Sequence, residues 1–207
     1  MKKVNIFLSL FVLVIFISSF SEDKKTTEST LNLISTLNYT VPTEQESFKN
    51  KDFQIPFLSN NFNGFREALA FKESQGKYYK VNTLGYLGKY QFGKSTLERF
   101  KIYDTQLFLK SPELQEDAFL ALCSVNKWIL RKDIKRSVGK RINGIEITES
   151  GILAAAHLGG AGNVKKYLRS GGVAQFKDAY GSSIQYYIKK FSGYNTSFVK
   201  ANRKPTL

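Results

Sequence analysis

Glu73 is the carboxylate whose setting most resembles that of a general acid. It stands four residues after Leu69 and three after Ala70, at the end of an apolar helical stretch and beside an aromatic, glycine-punctuated segment. A carboxyl group half-buried against such neighbours is in the environment that acid catalysis uses. Glu67 cannot assist it from the same helix, because six residues at about 100° each place the two on different faces. No other carboxylate is an obvious partner. His157 is the only histidine and Cys123 the only cysteine. One of each excludes a histidine-rich metal site, a thiolate zinc cluster and a disulfide framework, and no G-x-S-x-G elbow accompanies His157. Taken alone, His157 reads as a packed or capping residue and Cys123 as a buried free thiol.

Gly88-Lys89-Tyr90-Gln91-Phe92-Gly93-Lys94-Ser95 matches the phosphate-loop pattern G-x-x-x-x-G-K-[ST]. Nucleotide chemistry there needs a buried strand before the loop, a helix after it, and a second strand ending in Asp for magnesium. Only the following helix is expected, so the match is set aside and no nucleotide, metal or cofactor is expected.

The elements that must position these residues follow from capping and periodicity. Asn63 is expected to cap a helix carrying Phe65, Ala68, Leu69 and Phe71 and running to about Gly76. Residues 77–92 suit a small hairpin or structured loop. Ser95-Thr96-Leu97-Glu98 fits a capping box that opens a helix to about Tyr103. Ser111-Pro112 starts a long core helix with Leu114, Ala118, Leu122, Val125 and Ile129 in its stripe. Trp128 reads as a core residue beside the basic end of that helix, where Arg131, Lys132, Lys135 and Arg136 cluster. Asn143-Gly144 predicts a tight hairpin between Ile142 and Ile145. Thr148 opens a helix that stops at Gly159-Gly160, a further helix runs from Val164 to Gly171-Gly172, and a last amphipathic stretch spans about 182–191. The expected class is mainly α, an α+β domain with a small β-hairpin element.

Upstream of these elements the chain reads differently. Lys2 and Lys3 precede an apolar run from Ile6 to Phe20, followed by Ser21-Glu22-Asp23-Lys24-Lys25. That is the order of a secretory signal peptide, with small residues at Ser19 and Ser21 where a signal peptidase reads. Residues 1–21 are therefore expected to direct export to the periplasm or the outside, or to remain as an inner-membrane anchor through residues 4–20. The run is short for a spanning helix, which needs about 20 residues. Residues 22–60, rich in Thr, Ser, Glu, Asn and Lys, read as a polar linker or arm, and 61–207 as the folded domain. The 207 residues carry 31 Lys+Arg against 17 Asp+Glu, a net charge of +14, and 42% are hydrophobic. Such a chain can bury a core, and its charge suits an anionic partner such as cell-wall carboxylates, lipid headgroups or nucleic acid.

Three blocks, in order, resemble the lysozyme-like, soluble lytic transglycosylase superfamily of cell-wall glycosidases. Ala70-Phe71-Lys72-Glu73-Ser74-Gln75-Gly76 resembles its helix-ending Glu-Ser block. Gly85 to Thr96, with Gly88-Lys89-Tyr90-Gln91 inside it, resembles its Gly-x-x-Gln block. Ala156-His157-Leu158-Gly159-Gly160-Ala161-Gly162-Asn163-Val164 resembles its third block, with His157 and Leu158 where Tyr and Asn are usual. Tyr187-Ile188 echoes a Tyr-Val on the last helix, and Gln75 stands where Gly is frequent.

The resemblance implies a lysozyme-like helical fold and an exported enzyme cutting the β-1,4 bond between N-acetylmuramic acid and N-acetylglucosamine in peptidoglycan. Glu73 would be its catalytic acid and base, with substrate contacts from Ser74, Gly88, Tyr90, Gln91, His157 and Tyr187. A transglycosylase closes a 1,6-anhydro ring and needs no second carboxylate; a lysozyme normally has one. A wall-binding protein without activity, or a basic protein aimed at membrane or nucleic acid, are the alternatives. The expected partner is the glycan strand, with no nucleic acid.

Overall fold

A computed structural model describes residues 59–207. The export segment 1–21 and nearly all of the arm at 22–60 lie outside the described residues. The described part is mainly helical with one two-stranded antiparallel sheet. In chain order it comprises α1 (Phe62–Ser74), α2 (Lys94–Arg99), α3 (Thr105–Lys110), α4 (Pro112–Ser137), β1 (Arg141–Ile142), β2 (Ile145–Glu146), α5 (Glu149–Arg169) and α6 (Ile184–Lys190).

The caps explain where several of these elements begin. Asn61, not Asn63, caps α1, its Oδ1 accepting from Gly64 N at 2.9 Å. Asn63 is thereby drawn into the first turn. α2 begins at Lys94 because Gly93 is extended and its carbonyl accepts from Thr96 N and Leu97 N. Ser95 is therefore already helical, no side chain caps the helix, and it ends at Arg99 rather than near Tyr103. α3 was not expected. Asp104 starts it by accepting from Gln106 N and Leu107 N, both at 2.9 Å. Pro112 takes the first position of α4, where its missing N–H costs nothing. Arg141 pairs with Glu146 and Ile142 with Ile145 around Asn143-Gly144, as the hairpin reading requires. Thr148 caps α5, and Gly160 (φ 75°, ψ 152°) breaks it midway, so the two expected helices meet at a kink with hardly a gap.

α5 packs on α4 and α6 around an aromatic centre. Phe62, Phe65, Tyr90, Phe119, Tyr187 and Phe191 are all buried, and Tyr90 stacks on Phe119 at 4.1 Å and 10°. Each such ring contributes on the order of 1.5–3 kcal/mol through burial. Cys123 is buried in this core, and burial pushes its thiol pKa up, so it is inert. Trp128 departs from expectation. It is only half-buried, with the guanidinium of Arg131 at 4.3 Å and that of Arg203 at 5.3 Å from its ring. Arg131 of α4 and Arg203 of the C-terminal segment cover the ring with cations.

Candidate functional site

The left-handed cap at Gln75 (φ 61°) ends α1 and leaves Glu73 on the last turn, half-buried. It faces a cavity of about 570 Å³ whose lining includes Gln91, His157, Asp178 and Tyr187. Tyr187, from the first turns of α6, donates its hydroxyl to Glu73 Oε1 at 2.7 Å. Burial raises the Tyr187 pKa strongly, and the negative charge of Glu73 adds to it, so the phenol stays protonated and remains a donor. Among the described residues no Lys or Arg forms an ion pair with Glu73. Its only protein hydrogen bond there is a neutral one, and Oε2 is left to meet a ligand.

The remaining expected residues divide into two groups. Gln91 and His157 line the cavity. Gln91 has φ 53°, and its Nε2 donates to Gly88 O at 2.9 Å and to Lys80 O at 3.3 Å. With both amide protons engaged, Oε1 is the atom that can accept from a ligand hydroxyl. His157 Nε2 lies 2.7 Å from Tyr90 O, so Nε2 carries the proton. Nδ1 is buried with no hydrogen-bond partner among the described residues, and the ring packs against Phe92 and Phe119. His157 is thus packed against the core and also lines the cavity.

Ser74, Gly88 and Tyr90 do not reach the cavity. Ser74 is buried; its Oγ donates to Lys89 O at 2.7 Å and accepts from Lys77 N at 2.9 Å, tying the end of α1 to the Gly88–Gln91 turn. Gly88 is buried at φ 77°, and a Cβ there would lie 2.2 Å from Gln115 Oε1. It is glycine because Gln115 must approach, not because a sugar must. Tyr90 is fully buried, stacked on Phe119, with its hydroxyl on Glu116 Oε2 at 2.6 Å. Its ring has no free face for a sugar.

These placements come from a polar network that sequence reasoning missed. Lys89 Nζ is buried and bonds Glu67 Oε1 at 2.7 Å and Glu116 Oε1 at 2.8 Å, with Tyr78 Oη at 3.3 Å. Arg66 adds a contact to Glu116 at 3.3 Å. Burial works against the Lys89 charge, but the two carboxylates and Tyr78 outweigh it and raise its pKa. Burial likewise disfavours the Glu116 charge, yet hydrogen bonds from Lys89, Tyr90 and Tyr78 lower its pKa. The motif's own lysine, Lys94, is exposed at the start of α2, whereas Lys89 within the loop is a buried counter-ion; among the described residues no strand precedes the loop.

Asp178 was also missed. It lines the same cavity as Glu73, and its charge acts on Tyr187. Its Oδ1 accepts from Tyr180 N at 3.0 Å and Ser182 N at 2.6 Å, which leaves Oδ2 without a protein partner among the described residues. The spacing Asp178-x-x-Gly181 is a turn signal, but nothing local says that the turn faces Glu73.

Two further grooves share lining residues with the cavity. One, of about 690 Å³, shares Lys72, Glu73 and Lys80 with it; the other, of about 480 Å³, shares Tyr86, Gln91, His157 and Leu158. Glu73 lines both the cavity and the first of these grooves. Compared with protein-family profiles, with curated proteins and with solved structures, the chain gives no match.

Proposed function

We propose that the protein cleaves the β-1,4 glycosidic bond between N-acetylmuramic acid and N-acetylglucosamine in peptidoglycan, with Glu73 as the general acid. The observation that carries this reading is the 2.7 Å hydrogen bond from Tyr187 to Glu73, in a cavity also lined by Gln91 and His157. Residues from separate blocks of the sequence meet at one carboxylate. A neutral donor holds that carboxylate in place without the ion pair that would fix it as an anion.

In the reaction, Oε2 of protonated Glu73 gives its proton to the glycosidic oxygen as the bond to C1 breaks. The resulting carboxylate then takes the proton of the muramyl 6-hydroxyl as that oxygen closes onto C1, leaving a 1,6-anhydro ring and restoring the acid. Tyr187 keeps the carboxyl oriented through both steps and stabilises the anion between them. Gln91 Oε1 accepts from a sugar hydroxyl. The paired grooves suit a polymer longer than one disaccharide, and the basic surface suits its lactyl and peptide carboxylates.

Asp178 favours a second reading for the same bond. A second carboxylate in the same cavity can activate water, as in a lysozyme, and the products then carry reducing ends. Mass spectrometry of soluble fragments from purified sacculi separates the two. Anhydro-muropeptides from the wild type and from Asp178→Asn support the ring-closing reaction. Reducing-end products that vanish in Asp178→Asn support hydrolysis. No fragments from the wild type would end both readings and leave a wall-binding protein.

A further inference from the structure

The groove of about 480 Å³ that shares Tyr86, Gln91, His157 and Leu158 with the cavity also has walls that the chemistry at Glu73 does not use. One wall is a helix start. Gly160 (φ 75°, ψ 152°) breaks α5, and residues 161–169 run on beyond it for more than two turns. The first N–H groups of a helical segment lack intrahelical acceptors and carry the positive end of its dipole. Gly160 has no side chain to cap them, and the Asn163 amide is turned back onto Gly159 O at 2.9 Å. Gly160, Ala161 and Gly162 all line the groove. Gly160 and Gly162 are exposed, and a Cβ on either would meet no other part of the described chain within 4 Å. The backbone here is open to a ligand.

A second wall is Asn126, from the middle of α4. It is 5% exposed, it lines the groove, and its side-chain amide makes no hydrogen bond among the described residues. A buried amide left without a partner costs free energy until something in the groove meets it. A third wall is Arg99, at the end of α2, which is exposed and has no ion pair among the described residues. The hydroxyls of Ser95 and Thr96 stand beside it, also without hydrogen bonds there. Among the described residues no Asp or Glu lines this groove, whereas Glu73 and Asp178 both line the cavity. A cation, a buried amide and open helix-start amides, with no counter-charge among them, suit a carboxylate, whose two oxygens accept from several donors at once.

Building on the peptidoglycan reading, we propose that this groove is a carboxylate subsite, where Arg99, Asn126 and the amides after Gly160 take an acidic group carried by the glycan strand. That polymer offers the group from two sources. A muramyl residue stripped of its peptide has a free lactyl carboxylate; where the peptide remains, the lactyl group is an amide and the peptide supplies the carboxylates. The acidic cavity repels either one and the groove attracts it, so the charge of the strand is recognised apart from the sugar ring that Glu73 attacks.

The test uses the full exported chain carrying Glu73→Gln, so that ligands are bound and not cut. Equilibrium titrations compare three labelled oligosaccharides of equal length: a chitooligosaccharide with no carboxylate, glycan strands stripped of peptide, and strands that keep it. At least one carboxylate-bearing strand is expected to bind about tenfold more tightly than the chitooligosaccharide, and which one does so identifies the source. Adding Arg99→Gln is expected to bring that strand within about twofold of the chitooligosaccharide. Adding Lys132→Gln instead, the same loss of charge from an exposed position of α4 outside the groove, is expected to leave the gap in place. Equal affinity for all three ligands would overturn the subsite and leave the peptidoglycan reading standing. A gap that survives Arg99→Gln, or that shrinks equally in both variants and so reports general charge, would overturn it as well. If none of the three binds, the peptidoglycan reading falls and takes the subsite with it, an outcome distinct from equal binding.

Discussion

The last three turns of α1 carry two acidic positions that the protein treats in opposite ways. Glu67, with Glu116 from α4, is held by Lys89, Arg66 and the hydroxyls of Tyr78 and Tyr90. Glu73, six residues further on, has one phenol and no ion pair among the described residues. Neutralising a half-buried carboxylate with a buried cation fixes its charge and makes it part of the scaffold. Glu73 is instead held by a neutral donor alone. The contrast separates the carboxylates that build the cleft from the one that faces it, and it does so on a single helix.

The largest expected effect is on the scaffold side. Lys89→Met leaves Glu67 and Glu116 without their shared cation, and it should lower stability by about 3 kcal/mol, the lower end for a broken buried pair because Glu67 remains partly exposed. Calorimetry should show this as a melting temperature about 6–12 °C lower. The same network predicts a pH response. Glu116 has a lowered pKa when folded, so its contribution is present above the ordinary value of 4.5 and is lost as pH falls through the folded value. Lys89 has a raised pKa, so its contribution is intact below 10.5 and is lost as pH rises through the folded value. Melting temperature followed against pH should fall on both flanks in the wild type and become flatter on both in Lys89→Met. An unchanged acid flank in that variant would show that the Glu116 shift does not depend on Lys89.

Gly88→Ala comes next. Its Cβ would meet Gln115 Oε1 at 2.2 Å, at a left-handed φ that alanine disfavours, and about 2 kcal/mol of destabilisation is expected. Denaturant unfolding measures it, and a loss under about 0.5 kcal/mol would mean that Gln115 can give way. Tyr187→Phe is smallest for stability, about 1 kcal/mol for one hydrogen bond. In activity, however, it should lower kcat about tenfold with little change in KM, as expected of a group that positions the acid. A pure rise in KM would reassign Tyr187 to substrate binding.

Much of the scaffold was legible from local signals. Pro112 at the start of α4, Thr148 at the start of α5 and Asn143-Gly144 in the hairpin each act over a few residues, and each reads correctly. Errors arose where two local signals competed or where the deciding partner was distant. Asn61 and Asn63 are both good caps, and only the approach of the chain selects Asn61. Ser95 to Glu98 has the letters of a capping box, but Gly93, leaving the Gly88–Phe92 turn in extended conformation, starts the helix earlier. Lys89 sits in a motif that suggests phosphate, while its actual partners come from 22 residues before and 27 after. The site divides the same way. The position of Glu73 at a helix end is local, whereas the hydrogen bond from Tyr187 back to it, across 114 residues, has no local signal, and the resemblance offered Tyr187 only as a substrate contact. Asp178 and Tyr180 gave a turn signal and no hint of what the turn faces.

The most direct test of the central claim compares wild-type protein with Glu73→Gln on purified sacculi, with release of soluble muropeptides and melting temperature measured on the same samples. Glutamine keeps an oxygen to accept from Tyr187 but cannot give a proton to the glycosidic oxygen. The account predicts that release falls by about 10²–10⁴-fold, the usual contribution of a general acid, while the melting temperature stays within about 2 °C, as for a change of roughly 0.5 kcal/mol. Wild-type rates of release from a correctly folded Glu73→Gln protein would contradict it.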